Sequence, residues 1–150
     1  MPNARVAQKV GSFESRKQQQ VPRRVLAIDD NEAFLDTLST VLRTLGHDVR
    51  TTPDAAATLT IAREFAPDVV LLDVYMPSPT GFSLARELRR LYPPSRMMLV
   101  MMSGLELDEE TLLGAGQAGF DRCIGKLLSP EELDQLLSTA PAGAATHRAE

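Results

Sequence analysis

Short apolar runs and amphipathic segments alternate five times along this chain, and this alternation limits the fold more than any other feature. The apolar runs lack a period-2 alternation, which is typical of strands buried on both faces of a sheet. The predicted strands cover residues 25–28, 47–51, 68–73, 97–102 and 120–125. After each of them, apolar residues recur at helical spacing, so a helix is predicted to follow every strand.

Capping and breaking residues indicate where several of these helices begin and end. Thr52-Pro53 predicts an N-cap followed by proline in the first turn of the second helix, which would run to about Phe65. Thr80 predicts the cap of the third helix, and Pro93-Pro94 stops it. The run Ser129-Pro130-Glu131-Glu132 has the pattern of a capping box and predicts the start of the fifth helix.

Strict alternation of strand and helix predicts an α/β fold with a doubly wound parallel sheet of five strands. Right-handed crossovers then bring the carboxyl ends of all the strands to one edge of that sheet. In such folds a ligand binds outside this edge, close to the point where the strand order reverses. We expect the order 2-1-3-4-5, which makes the first and third strands neighbours.

The chain has 150 residues, a length that fits one ordinary domain. We expect residues 1–22 to form a basic, disordered leader, residues 23–139 to form the domain, and residues 140–150 to form a flexible tail or linker stub. Residues 1–24 carry six basic side chains and one acidic side chain, whereas the remainder carries 10 basic and 19 acidic ones. The overall charge of −4 therefore hides a basic leader and an acidic body.

Composition also argues against several classes of protein. The apolar runs are far shorter than a membrane span, so we expect no membrane association. Cys123 is the only cysteine, so no internal disulfide or multi-cysteine metal site can form, and the cytoplasm is the expected compartment. The body is acidic and no helix-turn-helix pattern follows it, so we expect no DNA binding.

Polar side chains follow the strands that the predicted order places at the centre of the sheet. Asp29-Asp30 follows the first strand and Asp73 ends the third, so three carboxylates lie close together and repel one another unless a cation sits among them. Magnesium is the hard divalent ion that favours such oxygen ligands. Ser103 and Lys126 add a hydroxyl and an ammonium at the same edge, which makes Asp73 the natural nucleophile for phosphoryl transfer.

With these residues in place, the chain resembles the receiver domain of two-component response regulators over roughly residues 23–139. The motifs that carry the resemblance are Asp29-Asp30, Asp73 followed by Met76-Pro77 and Gly81, Ser103-Gly104, and Lys126. Each motif is weak alone, but together they stand in order at the ends of the appropriate strands. The resemblance implies a flavodoxin-like (βα)5 fold and a single-domain response regulator that acts in a phosphorelay.

The resemblance also implies a role for each residue of this edge. Asp73 would accept a phosphoryl group from a histidine kinase or a histidine phosphotransfer protein, and the switch would then change binding to a downstream protein partner. The implied Mg²⁺ ligands are Asp29, Asp30, Asp73 and the backbone carbonyl of Tyr75. Ser103 would hydrogen-bond the phosphoryl oxygens, Gly104 would leave access, and Lys126 would pair with the phosphoryl charge. A homodimer is compatible with the family, and the protein is not expected to be a turnover enzyme.

Two positions depart from the pattern of the family. Leu127 follows Lys126, where the family usually has proline, so altered geometry is expected around the lysine. Cys123 stands where the family usually has tyrosine or phenylalanine, whose rotation reports the phosphorylated state. A small thiol cannot make the same movement, so the output switch should be missing or rerouted, and Cys123 itself is expected to pack in the core.

These departures leave two other functions open. A pseudo-receiver would keep the fold and bind a partner without phosphorylation, and Leu127 and Cys123 support it best. A phosphatase or phosphotransferase with an aspartyl nucleophile is the enzymatic alternative. One such family places a second acid two residues after the nucleophile, and Asp73-Val74-Tyr75 has none there.

Overall fold

Five parallel strands form one sheet in the order β2-β1-β3-β4-β5 in a computed structural model that describes residues 21–76, 80–104 and 106–141. The strands are β1 (Arg24–Ile28), β2 (Asp48–Thr52), β3 (Val69–Asp73), β4 (Met98–Ser103) and β5 (Arg122–Gly125). This order confirms the predicted doubly wound topology. The predicted leader lies almost wholly outside the described residues, and so does the predicted tail beyond residue 141.

Five helices alternate with these strands in the described part of the chain. They are α1 (Glu32–Thr44), α2 (Thr58–Phe65), α3 (Gly81–Leu91), α4 (Glu109–Ala118) and α5 (Pro130–Ser138). The predicted caps of the third and fifth helices are confirmed, because the side chains of Thr80 and Ser129 accept hydrogen bonds from the backbone N–H groups of Ser83 and Glu132.

The start of the second helix differs from its prediction. Thr52 does not cap a helix, because it pairs with Ile28 as the last residue of β2. The cap is Asp54 instead, whose carboxylate accepts a 3.0 Å hydrogen bond from the N–H of Ala56 and opens a short 3-10 turn. That turn delays the α-helix until Thr58, five residues beyond the predicted proline start.

Two hydrophobic layers hold the helices against the sheet. One layer joins β1, β3 and β4 to α2, α3 and α4, and the other joins the opposite face of the sheet to α1 and α5. Every residue of β3 and β4 is buried, whereas β5 at the edge is largely exposed. The buried apolar runs therefore became the central strands, as their lack of alternation predicted.

The register of the sheet places the candidate site at its centre. Ile28 of β1 pairs with Leu72 of β3, so Asp29 and Asp73 follow at the same height on neighbouring strands. Strand β4 adjoins β3 on the other side, and Asp73 pairs with Met102. The reversal of strand order thus falls where the carboxylates gather, at the position that binds ligands in doubly wound sheets.

The amino edge of the sheet carries a buried polar cluster. His47 is 6% exposed, and its Nδ1 accepts a 3.0 Å hydrogen bond from the backbone N–H of Arg23. The buried guanidinium of Arg23 donates at 3.1 Å to the carbonyl of Ala140. Ala140, the first residue of the predicted tail, is itself buried. Among the described residues, no helix is long and apolar enough to cross a membrane.

Gly81 begins α3 where the turn after Asp73 passes close by. A Cβ at this position would lie 2.5 Å from the Cα of Val74 and 2.8 Å from the carbonyl oxygen of Asp73. Gly81→Ala should therefore push the turn away from the helix and lower the free energy of unfolding by about 1–3 kcal/mol. Urea unfolding followed by circular dichroism measures this change.

The matched control is Gly116→Ala, because a Cβ on this glycine of α4 would meet nothing within 4 Å. Alanine there should stabilise the protein by about 0.5–1 kcal/mol through helix propensity. Equal effects of the two substitutions would contradict the close approach at Gly81.

Candidate functional site

Three carboxylates meet at the carboxyl edge of the sheet. Asp29 directly follows β1 and is fully buried, Asp30 beside it is exposed, and Asp73 ends β3 with 3% of its surface exposed. One oxygen from each of the three lies within 4.8 Å of the others. The structure therefore brings together the acidic residues that the sequence analysis selected.

The Asp73 carboxylate is held by its own turn and by a cation. The backbone N–H of Tyr75 donates to Oδ1 at 3.0 Å, and the Lys126 ammonium lies 3.4 Å from Oδ2. Burial raises the pKa of Asp73 above its ordinary value, and the charge of Asp29 adds to that rise. The hydrogen bond from Tyr75 and the charge of Lys126 lower it, but they do not cancel the effect of burial.

Asp29 is fixed by the start of the first helix. Its Oδ1 accepts a 2.9 Å hydrogen bond from the backbone N–H of Asn31. Asn31 in turn caps α1, because its side chain accepts from the N–H of Phe34 at 3.1 Å. The other Asp29 oxygen, Oδ2, lies 2.6 Å from the Lys126 ammonium, so this buried carboxylate has a counter-charge.

Lys126 bridges the two buried carboxylates from the residue after β5. Burial by itself lowers the pKa of Lys126, but the hydrogen bonds and charges of Asp29 and Asp73 outweigh burial and raise it. The backbone N–H of Lys126 also donates to the carbonyl of Ser103 at 3.0 Å. This hydrogen bond joins the ends of β4 and β5 and fixes the position of the Lys126 backbone relative to the site.

The remaining predicted residues surround this cluster. Ser103 is buried at the end of β4, and Gly104 after it is exposed. A Cβ on Gly104 would lie 3.7 Å from Cδ of Lys126, an ordinary contact, so packing against the lysine does not require glycine there. The Tyr75 side chain is 52% exposed and lines a cavity of about 410 Å³ between α3 and α4.

The two positions that depart from the family are both exposed. Cys123 is exposed on β5, so the expectation that it packs in the core is wrong. The reason is its place on β5, a short strand at the edge of the sheet formed by the described residues, whose side chains are covered less than those of the central strands. Leu127 is fully exposed next to Lys126.

Phe34 is the site residue that sequence reasoning missed. Its position in an apolar helical stripe indicated only a core residue, yet the Lys126 ammonium lies 5.2 Å from the centre of its ring. Its place five residues after Asp29, on the first turn of the helix that leaves the site, was the available signal.

The donor set suits a hard divalent cation. One carboxylate oxygen from each of Asp29, Asp30 and Asp73 lies within 4.8 Å of the others. Mg²⁺ prefers such oxygen donors and keeps water or phosphate oxygens in its other positions. The exposed side of Asp30 leaves room for those additional ligands.

Fold and site together define a doubly wound α/β domain with an acidic site at its switch point. Residues 25–138 match the response regulator receiver domain family, and the chain belongs to that family. The predicted resemblance is therefore confirmed, and the chain contains the receiver domain of a two-component response regulator.

Known relatives and structures agree with this assignment. The chain is 34% identical over 111 residues to the DNA-binding response regulator MtrA of Mycolicibacterium paratuberculosis, a match covering 74% of this chain and 48% of the relative. The chain thus spans about half the length of the curated relatives it matches.

Chemotaxis protein CheY4 of Vibrio cholerae superposes with a TM-score of 0.71 at 27% identity, covering 78% of this chain and 97% of that chain. The BeF3-activated DrrB receiver domain superposes with a TM-score of 0.68 at 26% identity, covering 78% and 95%.

Proposed function

We propose that Asp73 accepts a phosphoryl group and that its phosphorylation switches the binding of a protein partner. The observation that supports this most directly is the position of Lys126, whose ammonium lies 2.6 Å from Asp29 and 3.4 Å from Asp73. A lysine that follows β5 and reaches the acceptor carboxylate at the end of β3 supplies positive charge where phosphoryl oxygens would gather.

In the transfer, an oxygen of the Asp73 carboxylate forms a bond to phosphorus while the bond from phosphorus to the donor breaks. The electron pair of the broken bond stays on the histidine nitrogen of the donor. That nitrogen takes up a proton, which leaves a neutral imidazole. Asp29, Asp30 and Asp73, with the backbone carbonyl of Tyr75, would hold Mg²⁺, which when bound supplies neutralising positive charge.

The chain's own residues hold the acceptor in place for this step. The N–H of Tyr75 fixes one Asp73 oxygen and leaves the other on the side of Lys126. Lys126 would follow the charge onto the phosphoryl group, and the Ser103 hydroxyl would donate to a second phosphoryl oxygen. Because Gly104 has no side chain, the donor would approach from that side.

The test is the intact mass of the protein after incubation with Mg²⁺ and acetyl phosphate. The wild type should gain a single phosphate, and Asp73→Asn should gain none. Asp108→Asn removes a carboxylate that is exposed at the cap of α4, where asparagine also caps well, and should still be phosphorylated. No adduct on the wild type would favour the pseudo-receiver, and continuous release of phosphate from added phosphoesters would favour the enzyme.

Loss of the adduct in Asp73→Asn should not come from unfolding. Burial raises the pKa of Asp73, so the folded state disfavours its charged form. A neutral amide of the same shape should therefore leave the free energy of unfolding at pH 7 unchanged or higher, which urea unfolding measures.

The proposed partners are a histidine kinase or a histidine phosphotransfer protein upstream and an unidentified protein downstream, with the cytoplasm as the setting. The matched relatives are DNA-binding response regulators. We propose that the receiver acts through protein contacts and does not itself bind DNA, because residues 25–150 carry 19 acidic and 10 basic side chains. It acts as a switch that is modified, and not as a turnover enzyme.

Leu127 allows the pseudo-receiver alternative to be tested at the position that suggests it. Its side chain is fully exposed, so Leu127→Ser should change the free energy of unfolding by less than about 0.5 kcal/mol. Phosphorylation of Asp73 by acetyl phosphate should proceed at the wild-type rate, measured from the mass adduct over time.

Leu128→Ser is the matched control, because this neighbour is partly buried against the layer formed with α1 and α5. That substitution should destabilise the protein by about 1 kcal/mol or more. A Leu127→Ser variant that folds but is no longer phosphorylated would show that Leu127 takes part in the site.

A further inference from the structure

Phe34 connects the first helix to the cation of the site. It lies in the first turn of α1, and its backbone N–H donates a hydrogen bond to the side chain of the cap residue Asn31. Its side chain is partly buried against the layer of α1 and α5, and the Lys126 ammonium lies 5.2 Å from the ring centre. At this distance the negative face of an aromatic ring attracts a cation.

Few other contacts hold the Lys126 side chain among the described residues. Its backbone N–H donates a hydrogen bond to the carbonyl of Ser103. The side chain of the next residue, Leu127, is fully exposed and does not fix the position of Lys126 by packing. The ammonium itself contacts the carboxylates of Asp29 and Asp73 and the ring of Phe34. Two of these three contacts are made with carboxylates of the candidate metal cluster.

The contact with the Phe34 ring differs from the other two contacts of the ammonium because it involves no carboxylate. A divalent cation would compete with the ammonium for Asp29, and a phosphoryl group would occupy an oxygen of Asp73. The ring of Phe34 binds no hard cation through oxygen, so neither event removes its attraction for the ammonium. Of the three contacts of the ammonium described above, it is the one that involves neither of these carboxylates.

We propose that Phe34 is a positioning residue that holds the Lys126 ammonium beside Asp73 through a cation–π contact. The inference rests on the proposed phosphorylation of Asp73 and adds to it a residue that is not itself one of the proposed metal ligands or phosphoryl-binding residues. Packing alone would require only an apolar side chain at this place in the stripe. A cation–π contact requires an aromatic one.

The test compares Phe34→Leu, which stays apolar, with Phe34→Tyr, which stays aromatic. Isothermal titration calorimetry measures binding of Mg²⁺ alone and then of beryllofluoride at saturating Mg²⁺. Phe34→Leu should weaken beryllofluoride binding about 2- to 5-fold, the range that corresponds to a cation–π contact of about 0.5–1 kcal/mol. Phe34→Tyr should bind as the wild type does, and Mg²⁺ binding should not weaken in either variant.

A double-mutant cycle separates positioning from packing. In a Lys126→Met background, Phe34→Leu should have no further effect on beryllofluoride binding, because the ring has lost its cation. The same weakening in both backgrounds, or a parallel loss of Mg²⁺ binding, would assign Phe34 a merely structural role.

A second readout does not depend on the ligand. The ring should shift the ε-methylene protons of Lys126 upfield in the NMR spectrum of the wild type and of Phe34→Tyr, and Phe34→Leu should abolish that shift. An unshifted wild type would overturn the inference even if the binding data agreed with it. A wild type that binds no beryllofluoride at all would overturn the proposed function, and this inference with it, whereas wild-type binding that is insensitive to Phe34 overturns the inference alone.

Discussion

Lys126→Met should lower the rate of Asp73 phosphorylation by acetyl phosphate about 100-fold, the usual scale for removing one charge stabiliser from a reacting centre. The ammonium lies 3.4 Å from the acceptor carboxylate, and it is the one cation that forms a salt bridge with Asp73 among the described residues. Methionine keeps most of the length and the apolar stem, so the loss isolates the charge. The time course of the mass adduct measures the rate.

The same substitution should not weaken Mg²⁺ binding. In the wild type the ammonium lies 2.6 Å from Asp29 and would compete with a metal ion for that carboxylate. Removal of the ammonium should tighten Mg²⁺ binding and slow phosphoryl transfer. Damage to the structure of the site would weaken both, so the opposite directions identify the loss of charge as the cause. Calorimetry with Mg²⁺ alone measures the affinity.

Arg122→Met is the matched control for net charge. Arg122 is an exposed cation at the start of the same strand, β5, and its removal should change neither quantity. A Lys126→Met variant that is phosphorylated at the wild-type rate would contradict the role of the ammonium.

The architecture and the acidic site could be predicted because both follow from local patterns that topology then combines. Continuous apolar runs marked the strands β3 and β4, which are buried on every residue. Once the alternation implied parallel strands, the position of Asp29, Asp73 and Lys126 at one edge followed without knowledge of any side-chain contact.

The errors occurred where local signals compete. Thr52-Pro53 has the composition of a helix start, but pairing of Thr52 with Ile28 continues the strand, and the cap moves to Asp54. Cys123 follows an apolar pattern, yet β5 has a neighbour on one side only, and the sequence of a short strand does not state how deeply it is covered.

Phe34 shows a different limit of sequence reasoning. Apolar spacing correctly placed it on the inner side of α1, but the cation it faces lies 92 positions later in the chain. A contact between the first helix and the last strand depends on how the layers pack, and periodicity within either element carries no information about it.

His47 should make the protein markedly less stable in acid. Its ring is buried, and Nδ1 accepts the hydrogen bond from the N–H of Arg23, so protonation would both break this bond and place a second positive charge beside a buried guanidinium. Burial, followed by the charge of Arg23, lowers the pKa of His47 to about 4.

His47 binds a proton more tightly in the unfolded chain than in the folded protein, so acid favours unfolding. In the unfolded chain the His47 pKa is near its ordinary value of about 6.5. Between that value and about 4 the unfolded state therefore binds more protons, and the folded state loses stability as the pH falls through this window. The loss attributable to His47 between about pH 7.5 and pH 4 should be about 3 kcal/mol.

Carboxylates also titrate in this range, so the measurement is a difference between two proteins. Urea unfolding of the wild type and of His47→Gln across the same pH series removes the contributions that they share. Glutamine can present an oxygen to the N–H of Arg23 but cannot take up the proton. The variant should therefore start less stable or equal at neutral pH and lose less with acid, so that the gap closes or reverses near pH 4. Parallel curves for the two proteins would mean that His47 protonates as easily in the folded state as in the unfolded one. That result would contradict the buried hydrogen bond between Arg23 and His47.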